Sequence, residues 1–174
     1  DAILLTLGTG IGSSVYKDGK LLEPIELGHM IIKMNGRKCG CGKRGCFETY
    51  ASASALKKDA ERAIKKYETS LKNEAKVTGE TVLRHYGFDK VARRIADDYF
   101  KKLVCGIESC AHIFRPEVVI LGGGLSASLS PFIFEIENAV NKEIPFAVKI
   151  LTAKTVNDAG LIGATVFLDE NESI

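Results

Sequence analysis

The sequence has no long apolar run and no strong excess of charge of either sign. A membrane-spanning helix needs about 20 consecutive apolar residues, and no stretch of the 174 residues approaches that length. The chain carries 24 basic and 22 acidic side chains, with a formal net charge of +2, so we expect no nucleic-acid partner and no membrane partner for this domain. A signal-peptide pattern is also missing, and we expect a cytoplasmic protein.

The sequence also has no internal repeat and no composition typical of disorder. Apolar residues make up 45% and charged residues 26% of the chain, which is typical of a globular protein that buries one core. We therefore expect a single domain over residues 1–174. Because Asp1 leads directly into an apolar run typical of a buried strand, we also expect the chain to begin inside a longer protein.

The stretch 26–48, ELGHMIIKMNGRKCGCGKRGCFE, contains three of the five cysteines. The thiolates of Cys39, Cys41 and Cys46, with the imidazole of His29, are the ligands that tetrahedral Zn²⁺ prefers. Glycines between the cysteines allow the tight turns that such a short loop requires. Free or disulfide-bonded cysteines are the alternative, but the dense cluster in a composition typical of the cytosol favours a metal. Four protein ligands leave no position for water, which predicts a structural zinc site.

The first predicted strands form a hairpin. Residues 3–7 are an apolar run typical of a buried strand, and Asp18-Gly19 is typical of a two-residue hairpin turn. The pattern therefore predicts antiparallel strands over 11–16 and 20–22 after the first strand.

A glycine-rich turn joins the first two of these strands. It contains Gly8, Thr9, Gly10 and Gly12. A Rossmann fingerprint or a Walker loop must open a helix, and the predicted hairpin excludes both. The backbone N–H groups and the Thr9 hydroxyl are suited to cradle phosphate oxygens, although a bare glycine turn between strands explains the same residues.

In the remainder of the chain, helices and strands are predicted to alternate. The predicted helices cover 46–67, 77–86, 88–114 and 131–142, with a final helix capped by Asn157-Asp158, and the predicted strands cover 117–121 and 147–152. This order is typical of a mixed α/β sheet with helices on its faces. Gly122, Gly123 and Gly124 follow a strand and lead towards a helix, where a flat ligand can lie close to the backbone. A plain turn is equally consistent with three glycines.

The other cysteines and histidines lack a cluster in the sequence. We interpret Cys105 and Cys110, within the long predicted helix, as core residues. His85 and His112 are interpreted as surface or packing residues. The basic residues near the cysteines are interpreted as a solvated rim: Arg37, Lys38, Lys43 and Arg44.

The order of these motifs resembles the ROK family, whose name stands for repressor, open reading frame and kinase. The motifs are LGTGIG at 7–12, E-x-G-H at 26–29, C-x-C-G-x-x-G-C-x-E at 39–48 and the glycine triplet at 122–124. They extend over nearly the whole chain. The resemblance implies the C-terminal domain of a glucokinase-like sugar kinase, in the actin-like or hexokinase-like ATPase fold (ribonuclease H-like), with a zinc loop over 26–48 inserted.

The resemblance also implies roles for individual residues. Phosphate binding is implied for Gly8, Thr9, Gly10 and Gly12. Contact with the adenosine of ATP is implied for Gly122, Gly123 and Gly124. ATP is expected to act together with Mg²⁺. Sugar contact is implied for Glu26, His29 and Glu48, and zinc binding for His29, Cys39, Cys41 and Cys46. Carboxylates accept hydrogen bonds from sugar hydroxyls, and zinc on one nitrogen of His29 leaves the other as a donor. A carboxylate at Glu48 is favoured in the first turn of a helix without any ligand.

The catalytic base of the family pattern is an aspartate in an Asn-Asp-x-Asn segment upstream of the glycine turn, and this chain has no such segment. We therefore expect the base in an N-terminal domain outside the chain, no catalytic residue here, and no kinase activity from this polypeptide alone. The family resemblance implies dimers or tetramers.

Two other functions remain open. The first is the sugar-sensing effector domain of a ROK transcriptional repressor whose DNA-binding part lies upstream, although the intact LGTGIG turn favours the kinase. The second is a zinc module for protein or nucleic-acid contacts, which the near-neutral charge disfavours.

Overall fold

Five strands form one mixed sheet in the order β3-β2-β1-β4-β5. In this computed structural model, which describes residues 1–22 and 24–153, the strands are β1 (Ala2–Leu7), β2 (Ile11–Lys17), β3 (Lys20–Leu21), β4 (Val118–Gly122) and β5 (Lys149–Thr152). β1, β2 and β3 pair antiparallel, as the hairpin signal predicts, while β4 is parallel to both β1 and β5. Asp18 and Gly19 both have positive φ, which is the conformation of a type I′ hairpin turn.

The centre of the sheet is buried on one face. Ile3 pairs with Val119, which pairs with Ile150, and Leu5 pairs with Leu121. All five side chains are fully buried. Because alternate residues of a strand point to the same face, this register assembles a continuous apolar surface across β1, β4 and β5.

In the described part of the chain, six α-helices lie between β3 and β5. They are α1 (Glu48–Ala51), α2 (Ala53–Ile64), α3 (Gly79–Arg84), α4 (Lys90–Phe114), α5 (Ser126–Leu129) and α6 (Ile133–Glu143), and short 3-10 turns occur at Leu27–His29, Ser70–Asn73 and Ser130–Phe132. The long helix α4 contacts α1, α2, α3 and α6, and α5 and α6 contact β5. Among the described residues, none of these helices combines the length and apolar character required to cross a membrane.

The single helix predicted over 46–67 is wrong, because the chain forms α1 and α2 with a break at Ser52. Ser52 has an extended backbone (φ −80°, ψ 163°), and its side chain accepts a hydrogen bond from the N–H of Ala55. A serine that bonds to backbone N–H groups competes with the helix and favours its first position. The break places a new helix start, α2, next to the glycine turn.

Other predictions need smaller corrections. The helix predicted from Pro131 begins earlier, as α5, and continues through a 3-10 turn into α6. Cys110 is buried as predicted, but Cys105 is exposed, because five helical residues separate two side chains by more than a quarter turn. His85 is buried and His112 is exposed. The helix predicted from Asn157 lies outside the described residues.

The sheet topology places both glycine segments at one edge. β1 leads into the turn at 8–10, and β4 leads into the triplet at 122–124. The two strands are parallel neighbours, with Thr6 opposite Gly122, so their carboxyl ends coincide. Crevices at the carboxyl ends of parallel strands are where α/β proteins bind ligands.

Candidate functional site

Four side chains with metal-binding atoms meet in the loop at 26–48. One ligand atom from each of His29, Cys39, Cys41 and Cys46 lies within 4.8 Å of the others. Nδ1 of His29 is 3.7 Å from Sγ of Cys39, and Sγ of Cys41 is 3.7 Å from Sγ of Cys46. A Zn–S distance of about 2.3 Å places two sulfurs of a tetrahedral site about 3.8 Å apart. The donor set and its spacing therefore fit one tetrahedral metal ion.

Short backbone contacts fold this loop back on itself. Isolated antiparallel bridges join Ile31 to Cys46 and Lys38 to Arg44. Gly45 has a φ of +88°, and a Cβ at this position would lie 1.8 Å from the carbonyl oxygen of Lys33. Only glycine fits such a conformation at such a close approach. The structure thus confirms that a glycine is required to bring the third cysteine to the other two.

The three thiols of the cluster differ in acidity. Burial, assisted by the hydrogen bond to Glu48, raises the pKa of Cys39 to about 12, and burial also raises the pKa of Cys46. A hydrogen bond involving the backbone of Lys43 lowers the pKa of Cys41, which is exposed. Metals bind thiolates, so a metal at this cluster displaces protons from the buried thiols.

Glu48 connects the metal cluster to the glycine turn. It is the first residue of α1, and its side chain is about one-fifth exposed. Its Oε1 accepts a hydrogen bond from Cys39 Sγ at 3.0 Å and lies 3.8 Å from Nδ1 of His29. Its Oε2 is packed against Gly10, where an added Cβ would lie 2.4 Å from that oxygen. One carboxylate therefore contacts both predicted parts of the site.

The structure does not bring Glu26 into this group. Glu26 is exposed and precedes the 3-10 turn at Leu27–His29, where its carbonyl oxygen accepts a hydrogen bond from the N–H of His29 at 3.0 Å. Its side chain makes no hydrogen bond or ion pair with the described residues. Of the three predicted sugar contacts, His29 and Glu48 lie 3.8 Å apart, and the side chain of Glu26 bonds to neither.

A first cavity, of about 270 Å³, lies between the two glycine segments. The backbone N–H of Leu125 donates to the carbonyl oxygen of Leu7 at 3.4 Å. The backbone N–H of Ser54 donates to the carbonyl oxygen of Gly8, also at 3.4 Å. The residues that line the cavity include Gly8, Thr9, Gly124, Lys57, Lys76 and Thr78. We call it the inter-glycine cleft.

Not every predicted glycine lines this cleft. Gly8 and Gly124 line it, and four of the predicted glycines do not: Gly10, Gly12, Gly122 and Gly123. Gly12 lies within β2, and Gly122 ends β4. Sequence analysis missed Lys57 and Lys76 as cleft residues. Lys57 lies four residues after Ala53, the first residue of α2. Recognition of Ser52 as the cap of this helix would have suggested that Lys57 lies near the glycine turn.

A second cavity, of about 380 Å³, adjoins the first, since Thr9 and Ser54 line both. Glu48 lines it as well. Four cationic residues complete its wall: Arg37, Lys38, Lys58 and Arg62. We call it the cationic cavity.

The interpretation of Arg37 as part of a solvated rim is wrong. Its guanidinium donates to both carboxylate oxygens of Asp59, at 2.6 and 2.9 Å, and to the carbonyl oxygen of Thr49 at 2.9 Å. It also lies 4.7 Å from the centre of the Tyr50 ring. These partners, on α1 and α2, are distant in the sequence and hold the arginine in place. Lys43 and Arg44 are exposed, as a solvated rim requires.

A mixed sheet with two glycine segments at one edge and a cysteine-rich loop beside them fits the actin-like and hexokinase-like fold of sugar kinases. The model of the ROK family matches residues 1–171. The chain belongs to the ROK family, as its motifs predict.

Relatives with known names fall into two groups. The glucokinase of Thermotoga maritima is 33% identical over 183 residues, which cover 97% of this chain and 58% of that protein. The crystal structure of a ROK family glucokinase from Streptomyces griseus, in complex with glucose and AMPPNP, matches with a TM-score of 0.79 and 27% identity, over 94% of this chain and 59% of the other. The xylose repressor of Caldicellulosiruptor bescii is 27% identical over 177 residues, which cover 94% of this chain and 44% of the repressor.

The chain spans little more than half the length of the glucokinases it matches. The comparisons therefore establish the family of this chain, and the activity of a whole protein is a separate question.

Proposed function

We propose that this chain is the sugar- and nucleotide-binding half of an ATP-dependent hexose kinase of the glucokinase type. The observation that carries the proposal is the position of Glu48, whose carboxylate lies 3.8 Å from Nδ1 of His29 and is packed against Gly10 of the glycine turn. A kinase must hold a sugar hydroxyl next to the terminal phosphate of its nucleotide, because phosphoryl transfer depends on close alignment. A sugar held at Glu48 would lie next to the turn.

The proposed sugar contacts are Glu26, His29 and Glu48. Carboxylates accept charge-assisted hydrogen bonds from sugar hydroxyls, and His29 donates one from the ring nitrogen that does not bind the metal. The contact of Glu48 with Gly10 supports its role, since it fixes the carboxylate at the edge of the turn. Glu26 is exposed, so its carboxylate is free to accept a hydrogen bond from a ligand.

We propose Zn²⁺ as the metal held by His29, Cys39, Cys41 and Cys46. A structural zinc fixes the fold of the loop and the tautomer of the histidine. The role of the chain is to hold these four side chains in one place and so to orient Glu48 and His29 towards the sugar. Thiols that must remain reduced for this purpose are consistent with a cytoplasmic protein.

The proposed nucleotide site is the inter-glycine cleft. Gly8, Thr9, Gly10 and Gly12 are the proposed phosphate contacts, and Gly122, Gly123 and Gly124 the proposed adenosine contacts. Backbone N–H groups and a hydroxyl bind phosphate oxygens without charge, while Mg²⁺ supplies the neutralisation that phosphoryl transfer requires. Lys57 and Lys76 line the cleft together with Glu80, so its lining carries one more positive than negative charge.

This chain contains no proposed catalytic base. We place the base in an N-terminal domain outside residues 1–174, and we expect the isolated chain to bind ligands without turning them over. The whole protein is proposed to be a homo-oligomer.

A sugar-sensing domain of a ROK repressor is the second candidate, and the similarity to the xylose repressor over 94% of the chain supports it. The cleft between the glycine segments favours the kinase, since a sensor has no need of a nucleotide site.

The experiment is ADP release, measured in a coupled assay with ATP, Mg²⁺ and a panel of hexoses and amino sugars. The full-length protein should turn over one or more sugars, and residues 1–174 alone should not. Sugar binding without ADP release by the full-length protein would support the repressor.

A further inference from the structure

An irregular segment between α2 and α3 forms part of the wall of the inter-glycine cleft. The 3-10 turn at Ser70–Asn73 is followed by residues 74–78, which have no regular secondary structure, and then by α3. We call residues 70–78 the strap. Lys76 and Thr78 of the strap line the cleft. An ammonium group attracts phosphate oxygens, so the position of Lys76 matters for a nucleotide in the cleft.

Few contacts hold the strap in place. Leu71 is its only buried side chain, and the N–H groups of residues 75–77 donate no hydrogen bond to the backbone of any described residue. Thr81 of α3 holds the end of the strap, since its hydroxyl donates to the carbonyl oxygen of Lys76 and accepts from the N–H of Thr78, both at 3.3 Å. A segment with so few contacts opens more easily than regular structure.

His85, the residue after α3, bonds to the strap at two points. Its side chain is buried, with Nδ1 2.8 Å from Oγ of Ser70 and Nε2 2.7 Å from Oε1 of Glu74. An ionised carboxylate only accepts hydrogen bonds, so Nε2 is the donor to Glu74. This bond is the main cause that lowers the pKa of Glu74. One imidazole ring therefore fixes two positions of the strap that are four residues apart.

Charged groups on both sides of His85 complete the network. Asp89, which caps α4, accepts hydrogen bonds from the hydroxyl and from the N–H of Ser70, both at 2.7 Å. Arg84 donates to Oε2 of Glu74 at 2.9 Å. The network thus joins the strap to the end of α3 and to the start of α4.

We propose that His85 is a positioning residue for the nucleotide, because it holds the strap so that Lys76 stays at the inter-glycine cleft. His85 is not among the residues that line the cleft, so its effect on a nucleotide passes through the strap. A cation that is already held in place loses little conformational entropy when it binds a ligand. The proposal rests on the proposed function, since it takes the cleft as the nucleotide site.

The test is a double-mutant cycle on the full-length protein, with affinity for AMPPNP and Mg²⁺ measured by calorimetry. His85→Ala and Lys76→Ala should each weaken AMPPNP binding about threefold or more. In the Lys76→Ala background, His85→Ala should weaken binding less than about twofold further, because the group that the strap presents is already absent. Hydrogen exchange of the amides of residues 75–77, without nucleotide, should be faster in His85→Ala than in the parent.

Glucose affinity separates positioning from a general loss of structure. It should stay within about twofold of the parent value in each variant, because distant sites without shared partners behave independently. Glu74→Ala, which leaves the buried ring in place, should weaken AMPPNP binding as His85→Ala does, and it provides the test if His85→Ala does not fold. The matched control is His112→Ala, an exposed histidine of α4 that does not line the cleft. It should leave both affinities unchanged.

The outcomes distinguish this proposal from the proposed function. The positioning role alone is overturned if the parent binds AMPPNP and neither His85→Ala nor Glu74→Ala weakens it. It is also overturned if His85→Ala has the same effect with and without Lys76, or if glucose affinity falls as much as AMPPNP affinity. A parent protein that does not bind AMPPNP would overturn the proposed function and the positioning role together.

Discussion

At the scale of single residues, Glu48 contacts both predicted parts of the site. Its two carboxylate oxygens have different neighbours: Oε1 accepts from Cys39 and Oε2 is packed on Gly10. Cys39 and Gly10 are 29 residues apart in the sequence, and this one side chain lies against both.

The first prediction is that Glu48→Gln weakens sugar binding about tenfold or more, because it replaces charge-assisted hydrogen bonds with neutral ones. Affinity for an ATP analogue should be nearly unchanged. Separate calorimetric titrations of the full-length protein with its sugar and with the ATP analogue measure the two affinities. Glu61→Gln, an exposed carboxylate on α2 that pairs with Lys57 at 3.6 Å, is the control. Equal sugar affinity in Glu48→Gln and the parent would remove Glu48 from the sugar site.

The second prediction compares two glycines of one turn. A Cβ at Gly10 would lie 2.4 Å from Oε2 of Glu48, whereas a Cβ at Gly8 has no atom within 4 Å other than its chain neighbours. Gly10→Ala should therefore displace the carboxylate and weaken sugar binding several-fold, although no sugar ligand is removed. Gly8→Ala should leave sugar affinity unchanged. If both substitutions reduce it equally, the contact of Gly10 with Glu48 is not the cause.

At the scale of elements, the start of α4 depends on a buried carboxylate. Asp89 caps the helix through the N–H groups of Val91 and Ala92, and it also accepts hydrogen bonds from Thr69 and Ser70. Burial raises the pKa of Asp89, but these hydrogen bonds outweigh it and hold the pKa well below its usual range. The ionised form is thus preferred in the folded protein.

The third prediction follows from this depressed pKa. Asp89→Ala should lower the free energy of unfolding by about 2 kcal/mol or more at neutral pH, since a helix cap and several hydrogen bonds are lost. The pKa of Asp89 is lower in the folded protein than in the unfolded protein, where it is about 4. The ionised carboxylate therefore stabilises the fold fully well above pH 4, and this stabilisation is lost as the pH falls below about 4. The parent should therefore lose more stability than Asp89→Ala between pH 5 and pH 3, in denaturant titrations.

The control for this prediction is Asp98→Ala, which removes an exposed carboxylate of the same helix that pairs with Lys102. A surface pair contributes little, so the variant should match the parent at each pH. If the free energies of unfolding of the parent and of Asp89→Ala fell in parallel as the pH is lowered, this result would contradict the role of Asp89 as a helix cap.

Sequence analysis succeeds in this protein where the cause is local. The hairpin at Asp18-Gly19 and the grouping of His29 with the three cysteines follow from residue types at short spacing, and the structure contains both the turn and the cluster. The break at Ser52 was missed because the apolar spacing of a helix continues through it. The fixed position of Arg37 was missed because its partners, Asp59 and Tyr50, are brought to it by folding. Contacts between distant elements are not encoded in any one stretch.

At the scale of the whole molecule, the loop at 26–48 has little regular secondary structure. Residues 30–47 contain only isolated bridges and no helix or strand, yet they present Cys39 to Glu48 and Arg37 to Asp59. Apolar packing supports only part of this loop, since Cys39, Cys46 and Phe47 are buried while Ile31 and Met34 are exposed. Backbone hydrogen bonds and the pair of Arg37 with Asp59 also hold the loop, and a metal bound by the four side chains would add to them.

The fourth prediction is therefore that removal of the metal lowers the thermal midpoint and weakens sugar binding together. Metal that binds only the folded state stabilises it by mass action, and a loss of about 2 kcal/mol lowers the midpoint by roughly 4 to 8 °C in a domain of this size. Elemental analysis of the full-length protein should find one zinc per chain. Cys41→Ser should lose the zinc and both properties, whereas Cys105→Ser, an exposed thiol on α4, should retain them. A zinc-free Cys41→Ser protein with the sugar affinity of the parent would show that the loop orients Glu48 without the metal.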